Sequence, residues 1–258
     1  MVYYGGKGRR VMAITQPRYA QVADVLRDRI NTGTYEPGDQ LPSQRELREE
    51  FDISVPTAKA AIAQLISEGL VYAHQGRGVF VRETKELLRF TSGRYGVAGT
   101  PNAREEEATG IALDVRAEHR QVQATPEVAA RLEIEPGDMC SEAVYSWSLD
   151  SEPVMISTQW EPLALTRGTA IETPAGGERG EPDVITRFSK IGINVTKARE
   201  DIRTRMPTPD EAHALKTPSG VPVFYIQRTH YGDVPVETAD IVMRGDSFVV
   251  RNEQAIPL

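Results

Sequence analysis

Residues 43–81 read SQRELREEFDISVPTAKAAIAQLISEGLVYAHQGRGVFV, and the order of signals in this stretch decides the fold. Ser43-Gln44-Arg45-Glu46 has the spacing of a capping box, in which the Ser43 side chain accepts from the Glu46 N–H and the Glu46 carboxylate accepts from the Ser43 N–H. A helix is expected to start there, with Leu47 and Phe51 on its apolar side. Asp52-Ile53-Ser54 then breaks the pattern with two short polar side chains that compete for backbone hydrogen bonds, which predicts a tight turn. Ser54 is a good N-cap for a second helix, and the early Pro56 is tolerated because first-turn N–H groups lack intrahelical partners. Ala58, Ile62 and Leu65 recur at helical spacing and should face a core, leaving Val55, Pro56, Thr57 and Lys59 at an exposed N-terminal end. Gly69 can stop this helix in a left-handed cap. Two short strand-like runs, 70–74 and 79–81, then flank Gln75-Gly76-Arg77-Gly78, the pattern of a β-hairpin with a glycine-flanked arginine at its tip.

Two helices joined by a short turn and followed by a β-wing suit one kind of partner. In a helix-turn-helix the N-terminal end of the second helix enters the major groove of DNA. The wing glycines let backbone approach another surface closely, and Arg77 supplies a permanent positive charge, which fits a nucleic-acid backbone or minor groove. Upstream, Tyr19, Val22, Ala23, Leu26 and Ile30 mark one face of an amphipathic helix that ends near Gly33 and should brace this unit. Residues 1–15 contain Gly5-Gly6-Lys7-Gly8-Arg9-Arg10 without apolar periodicity and are expected to form a flexible basic arm.

Three segments carry a family resemblance. Gln16-Pro17-Arg18-Tyr19-Ala20-Gln21-Val22, the run from Gly33 through Pro37-Gly38-Asp39-Gln40-Leu41-Pro42-Ser43 to Leu47, and Gln75-Gly76-Arg77-Gly78-Val79-Phe80-Val81 resemble the winged helix-turn-helix of the GntR family of bacterial transcription regulators. The resemblance spans the first third of the chain. It implies DNA contacts at Arg45, Ser54, Thr57, Lys59, Gln75, Gly76 and Arg77, with Val55 and Pro56 beside them at the exposed helix start. One position departs from the family, which usually has arginine directly after the residue that starts the recognition helix; here it is Val55. Arginine is the commonest reader of guanine O6 and N7, so a different preferred operator is expected.

The chain of 258 residues is 40% hydrophobic and carries a net charge of −7, long enough for two modest domains with real cores. The charge is unevenly spread. Residues 1–85 hold 12 Lys and Arg against 10 Asp and Glu, whereas the remainder holds 18 against 27, so the acidic excess lies away from the expected DNA reader. The single cysteine, Cys140, excludes an internal disulfide, and no apolar run approaches a membrane span. A cytoplasmic protein with no membrane partner is expected.

The expected domain limits are a basic arm at 1–15, a DNA-binding domain at 16–82, a linker at 83–99 and a second domain at 100–258. Leu87, Leu88 and Phe90 should dock the linker onto one of the two domains, and Ser92-Gly93-Arg94 is turn-like. The second domain carries an internal repeat. Thr125-Pro126-Glu127 with Ala129, Leu132, Gly137, Asp150 and Pro153-Val154 recurs as Thr208-Pro209-Asp210 with Ala212, Leu215, Gly220, Asp233 and Pro235-Val236. Each copy predicts a Thr-capped helix with proline at its first position, then a hairpin: 139–149 with 153–160, and 221–231 with 234–243. Two such copies should merge into one antiparallel sheet with helices on one face, an α+β domain with a cleft where the copies meet.

This half resembles the UTRA effector-binding domain of the HutC subfamily of GntR regulators, a fold shared with chorismate lyase, most specifically at Ala198-Arg199-Glu200-Asp201-Ile202, Gln227-Arg228-Thr229-His230-Tyr231, Pro235-Val236-Glu237 and Arg244-Gly245-Asp246. The resemblance implies a homodimer that takes a small-molecule effector. Many members bind phosphorylated sugars or other polar molecules through arginines on the first hairpin and a glutamate on its return strand; here those positions hold Tyr145, Trp147 and Ser157. Aromatic rings in place of guanidinium forks remove bidentate anion recognition and supply stacking surface. Two family tyrosines near the C-terminus likewise stand as Met243 and Phe248. The expected effector is therefore apolar or aromatic, held by Tyr145, Trp147, Ser157 and Phe248, with Arg228, Glu237 and Arg94 supplying polar contacts.

Other chemistries find little support. The four histidines, His74, His119, His213 and His230, lack metal-ligand spacing and are expected to be surface or packing residues; no metal, cofactor or catalytic residue is predicted. Glu105-Glu106-Glu107 reads as a solvated charge run, and Cys140 as a small buried apolar group. Gly76-Arg77-Gly78 precedes a strand, so it is no phosphate-binding loop opening a helix. The sequence thus predicts a winged helix-turn-helix joined to an antiparallel-sheet UTRA domain, a repressor of double-stranded operator DNA released by its effector. The alternatives are a constitutive DNA-binding regulator whose cleft is filled by Tyr145 and Trp147, and an enzyme with lyase chemistry like its fold relative.

Overall fold

A computed structural model describes residues 16–83, 85–95, 103–174 and 183–256. The expected basic arm at 1–15 lies outside them, as does the end of the expected linker. The chain divides into two compact units, the first ending at Glu83.

The first unit is built from α1 (Arg18–Asn31), α2 (Gln44–Phe51), α3 (Val55–Ser67) and a hairpin of β1 (Val71–His74) and β2 (Gly78–Val81). The start of α2 is fixed as the sequence predicts: Ser43 Oγ accepts from Glu46 N at 3.3 Å, and Glu46 Oε2 accepts from Ser43 N at 2.8 Å. Asp52 ends α2 in the left-handed region at φ 48°, and Ser54 caps α3. Val22, Ala23 and Leu26 of α1, Leu47 of α2, Ala58, Ala61, Ile62 and Leu65 of α3, and Val71 and Val81 of the hairpin close over one core with Leu41. Burying each of the large aliphatic side chains contributes about 1.5–3 kcal/mol relative to exposure. Arg27 of α1 bonds both carboxylate oxygens of Glu68 at the end of α3, at 2.7 and 2.9 Å, tying α1 to α3.

The wing has a support that local sequence signals do not announce. Residues 38–41 lie along β2, with Gly38 N donating to Val81 O at 3.0 Å and Leu41 N to Val79 O at 2.8 Å. Gln40 Nε2 also donates to Arg77 O at 3.0 Å, holding the wing tip from below. This contact explains Gly78, whose φ is +124° and where an added Cβ would collide with the Gln40 amide. Gly76, at φ +75°, forms the turn itself.

The second unit comprises β3 (Leu87–Phe90), α4 (Ala103–Thr109), β4 (Asp114–Gln123), α5 (Pro126–Leu132), β5 (Met139–Leu149), β6 (Glu152–Pro162), α6 (Leu163–Thr166), α7 (Val184–Ser189), β7 (Lys197–Arg205), α8 (Pro209–Ala214), β8 (Val223–Tyr231), β9 (Pro235–Arg244) and β10 (Phe248–Arg251). Six strands form one antiparallel sheet in the order β4-β5-β6-β9-β8-β7. The order is symmetric about the β6–β9 seam. Each repeat is therefore larger than the sequence suggests: β4-α5-β5-β6 is matched by β7-α8-β8-β9.

The repeat helices share one face of the sheet, as expected. On α5, Val128, Ala129 and Leu132 pack with Cys140 and Trp160; after α8, Leu215 packs with Val223, Val242, Ile156 and Tyr225. Both helices begin as read, with Thr125 accepting from Val128 N and Thr208 from Glu211 N, at 3.3 Å each. The opposite face, for which the sequence suggests no cover, is covered by β3 and β10, which pair in parallel. Leu87 and Phe248 from this pair bury Met155, Ile226, Ile241 and Met243 of the sheet. The apolar linker residues thus dock within the second unit.

Candidate DNA-reading surface and effector site

The predicted DNA-facing residues fall on two neighbouring parts of the first unit. Val55, Pro56 and Lys59 are exposed at the leading end of α3, with Ser54 as its cap and Thr57 half-buried behind it. Ser54 Oγ lies 2.8 Å from Thr57 Oγ1 and accepts from Thr57 N at 3.4 Å. Gln75, Gly76 and Arg77 are all exposed at the wing tip. Arg45 projects from α2 with its side chain 78% exposed, 4.0 Å from Glu49. The packed helices and the Gln40 contact fix these side chains on rigid elements.

On the second unit, strand register decides which candidates meet. Residues directly opposite in an antiparallel pair project from the same face. Tyr145 opposes Ser157, which opposes Ile241; Trp147 opposes Met155, which opposes Met243. One step along, Gln159 opposes Ala239, which opposes Arg228, which opposes Glu200. Glu237 opposes His230. Tyr145, Trp147, Ser157, Arg228 and Glu237 therefore share the face away from α5 and α8, beneath β3 and β10. The even-numbered β5 and β6 residues that touch α5 point the other way.

Within this face the candidates have different surroundings. The Tyr145 and Trp147 rings stack at 5.7 Å between centroids. Tyr145 Oη donates to Pro174 O at 3.2 Å and accepts from Gln159 Nε2 at 3.3 Å, and burial pushes its hydroxyl up to about 12, so it stays a neutral donor. Ser157 is buried beside it. Trp147 packs against the apolar cluster in which Phe248 is buried, so Phe248 serves as core here.

The charged candidates pair with one another, and among the described residues Arg228 Nε and His230 Nε2 are buried without a hydrogen-bond partner. Arg228 Nη2 donates to Glu237 Oε1 at 2.6 Å, and His230 Nδ1 lies 2.7 Å from Glu237 Oε2. Burial alone would favour neutral Glu237, but Arg228 and His230 hold its carboxyl down at about 2. Arg94 pairs with Glu105, Arg89 with Glu200, and Arg187 with both oxygens of Glu161. Burial pushes Glu161 up to about 7 against that guanidinium, and lowers Arg94 to about 10.

Two expectations need correction. Glu105 is no member of a solvated run: it is 8% exposed, accepts from Phe90 N at 3.1 Å and pairs with Arg94, because α4 lays it against β3. His230 is more than a packing residue, since it completes the Glu237 network and meets the Tyr95 ring edge-on at 5.0 Å. Sequence reasoning also missed Gln159, Glu161, Arg187, Tyr95 and Glu200 on this face. Alternation along Gln227-Arg228-Thr229-His230 could have found His230, which lies two residues from Arg228. Arg187 and Glu161 are 26 residues apart, and nothing in local pattern joins them. Among the described residues no His, Cys, Asp and Glu group could hold a metal ion, and no helix is long and apolar enough to cross a membrane. Cys140 is buried, with its thiol pushed up to about 11 by burial.

A winged helix-turn-helix with a polar reading surface, joined to an α+β unit with a charged and aromatic sheet face, defines a DNA-binding transcription regulator carrying an effector-binding domain. Comparison with known proteins agrees. Residues 18–81 match the bacterial regulatory proteins of the gntR family, and residues 117–249 match the UTRA domain. The chain belongs to the GntR family of transcriptional regulators, in its UTRA-containing branch, and is a regulator and not an enzyme. It is 28% identical to the HTH-type transcriptional repressor NagR of Bacillus subtilis over 90% of this chain and 92% of that protein. It is 30% identical to an uncharacterized HTH-type transcriptional regulator of Streptomyces coelicolor, over 84% of each. A crystal structure assigned to a GntR-family transcriptional regulator superposes with a TM-score of 0.65 at 33% identity, covering 94% of this chain and 99% of that one.

Proposed function

We propose that this regulator is a cytoplasmic repressor which binds a near-palindromic operator as a homodimer and is released by a small apolar or aromatic effector. In this reading residues 16–82 bind DNA through Arg45, Ser54, Val55, Pro56, Thr57, Lys59, Gln75, Gly76 and Arg77. Residues 83–99 link, and residues 100–258 dimerise and take the effector on the inner sheet face at Tyr145, Trp147 and Ser157. Phe248 backs that face from the core, and Arg94, Arg228 and Glu237 border it. Two-fold symmetry in the protein selects two-fold symmetry in the DNA, which supports the near-palindrome. The repressor reading draws on NagR, a repressor similar over nearly the whole chain.

One observation carries the effector class. The guanidinium groups of Arg89, Arg94, Arg187 and Arg228 on this face each pair with a carboxylate, so a phosphate would meet charges already balanced, while the buried Nε groups of Arg89, Arg187 and Arg228 keep single N–H donors for a polar atom of the effector. The stacked rings of Tyr145 and Trp147, with the Gln159 amide and Ser157 hydroxyl beside them, offer an aromatic molecule surface and a few hydrogen bonds instead. For such a molecule to release the operator it must bind one dimer arrangement more tightly than the other.

The test is a thermal-shift screen of the purified chain against aromatic metabolites and phosphorylated sugars, followed by release of an operator duplex. Stabilisation and release by an aromatic compound, lost in Tyr145→Ala, is the expected result. Release by a phosphosugar alone would overturn the effector class. A second reading, a constitutive regulator with no effector, is favoured by the engagement of the Tyr145 hydroxyl with Pro174 and of Trp147 with the core; it predicts no stabilising compound of either class.

A further inference from the structure

Val55 is anomalous for its place. It opens α3, is 43% exposed, and belongs to no apolar cluster among the described residues. Beside it, Ser54 Oγ and Thr57 Oγ1 lie 2.8 Å apart and share one hydroxyl hydrogen, Ser54 Oγ also accepts from Thr57 N, and Pro56 has no N–H. Lys59, one turn on, is exposed on the same side of the helix as Val55, since residues i and i+4 are neighbours there. The leading turn of the recognition helix therefore presents the branched methyls of Val55 and the pyrrolidine ring of Pro56 beside the Ser54 and Thr57 hydroxyls and the Lys59 cation.

The base edges in the major groove offer hydrogen-bond donors and acceptors and only one apolar group, the C5-methyl of thymine. A valine can satisfy none of the polar positions and would bury those it covered. We propose that Val55 reads a thymine in each operator half-site through its C5-methyl, with Lys59 holding the neighbouring phosphate. An arginine at this position would instead select guanine. The inference rests on the DNA-binding role proposed for this end of α3, and adds to it the identity of one base.

The test uses the full chain and an operator obtained by selection from random duplex DNA. Each thymine of the half-site is replaced in turn by deoxyuridine, which removes the methyl and leaves the pairing edge unchanged. One symmetry-related thymine pair should show the effect, with affinity falling about fourfold per half-site, the value of one buried methyl. Val55→Ala, an exposed change that leaves the core intact, should bind the thymine and deoxyuridine duplexes equally. Selection with Val55→Arg should replace that thymine by guanine. A selected operator indifferent to deoxyuridine at every position overturns the thymine reading alone, as does a Val55→Ala variant that keeps the full discrimination. Folded protein that enriches no operator overturns both this inference and the DNA-binding role beneath it.

Discussion

At the scale of single residues, two kinds of position separate cleanly. Arg77 is exposed at the wing tip, where surface substitutions usually shift stability by less than about 0.5 kcal/mol. Arg77→Ala should thus leave the melting temperature unchanged while weakening operator binding. It should also make the slope of log affinity against log salt shallower, by about 0.9 for each phosphate that Arg77 neutralises. An unchanged slope and affinity would remove Arg77 from the interface. Glu237 is the reverse case, fully buried between Arg228 and His230. Glu237→Ala leaves a buried guanidinium without its carboxylate and should cost about 3–5 kcal/mol in denaturant unfolding. Its pH dependence follows from the direction of the shift. The folded carboxyl sits near 2 against an ordinary 4.5, so the unfolded chain binds the proton more readily. The stabilisation is present above about pH 4.5 and is lost as pH falls toward 2. Melting temperatures of wild type and Glu237→Gln should therefore converge on acidification through that window.

At the scale of elements, the capping box and the wing support make separable predictions. Ser43→Ala removes the side-chain cap of α2 and should cost about 0.5–2 kcal/mol, measured by urea unfolding. Gly78→Ala forces a strained φ and a clash with Gln40. It should disturb the wing and lower operator affinity more than it lowers the stability of the three-helix core; equal effects would show that the wing is not a separate reading element. The elements most legible in the sequence are those whose signals are local. The caps at Ser43, Ser54, Thr125 and Thr208 and the hairpin turns each lie within a few residues of what they specify. The elements that escaped are set by distant partners. The edge strands β4 and β7 are rich in charged side chains of both signs with little apolar content, which protects an open sheet edge but erases the usual strand signal. The β3–β10 pair joins residues about 160 positions apart. The candidate face was legible where alternation placed Tyr145, Trp147 and Ser157, and illegible where it depends on the closure of Arg187 onto Glu161 or of Glu105 onto Arg94.

At the scale of the whole molecule, the internal repeat explains why the candidate face exists. Two copies of strand, helix and hairpin meet at the β6–β9 seam, and each copy turns its helix to one side. The other side is left for the linker segment and the C-terminal strand to cover, which puts Arg89, Arg94 and Tyr95 of the linker in the same charged network as Glu200 of the sheet. Charge is divided accordingly, with the acidic excess held by residues beyond the DNA reader. The reader itself carries little net positive charge, so single-site affinity should be weak and two linked half-sites decisive. The most direct measurement is selection of binding sites from random duplex DNA by the purified full-length chain. A motif of two inverted half-sites about one helical turn apart is the predicted result; enrichment of single, unrepeated sites, or of none by folded protein, would contradict it.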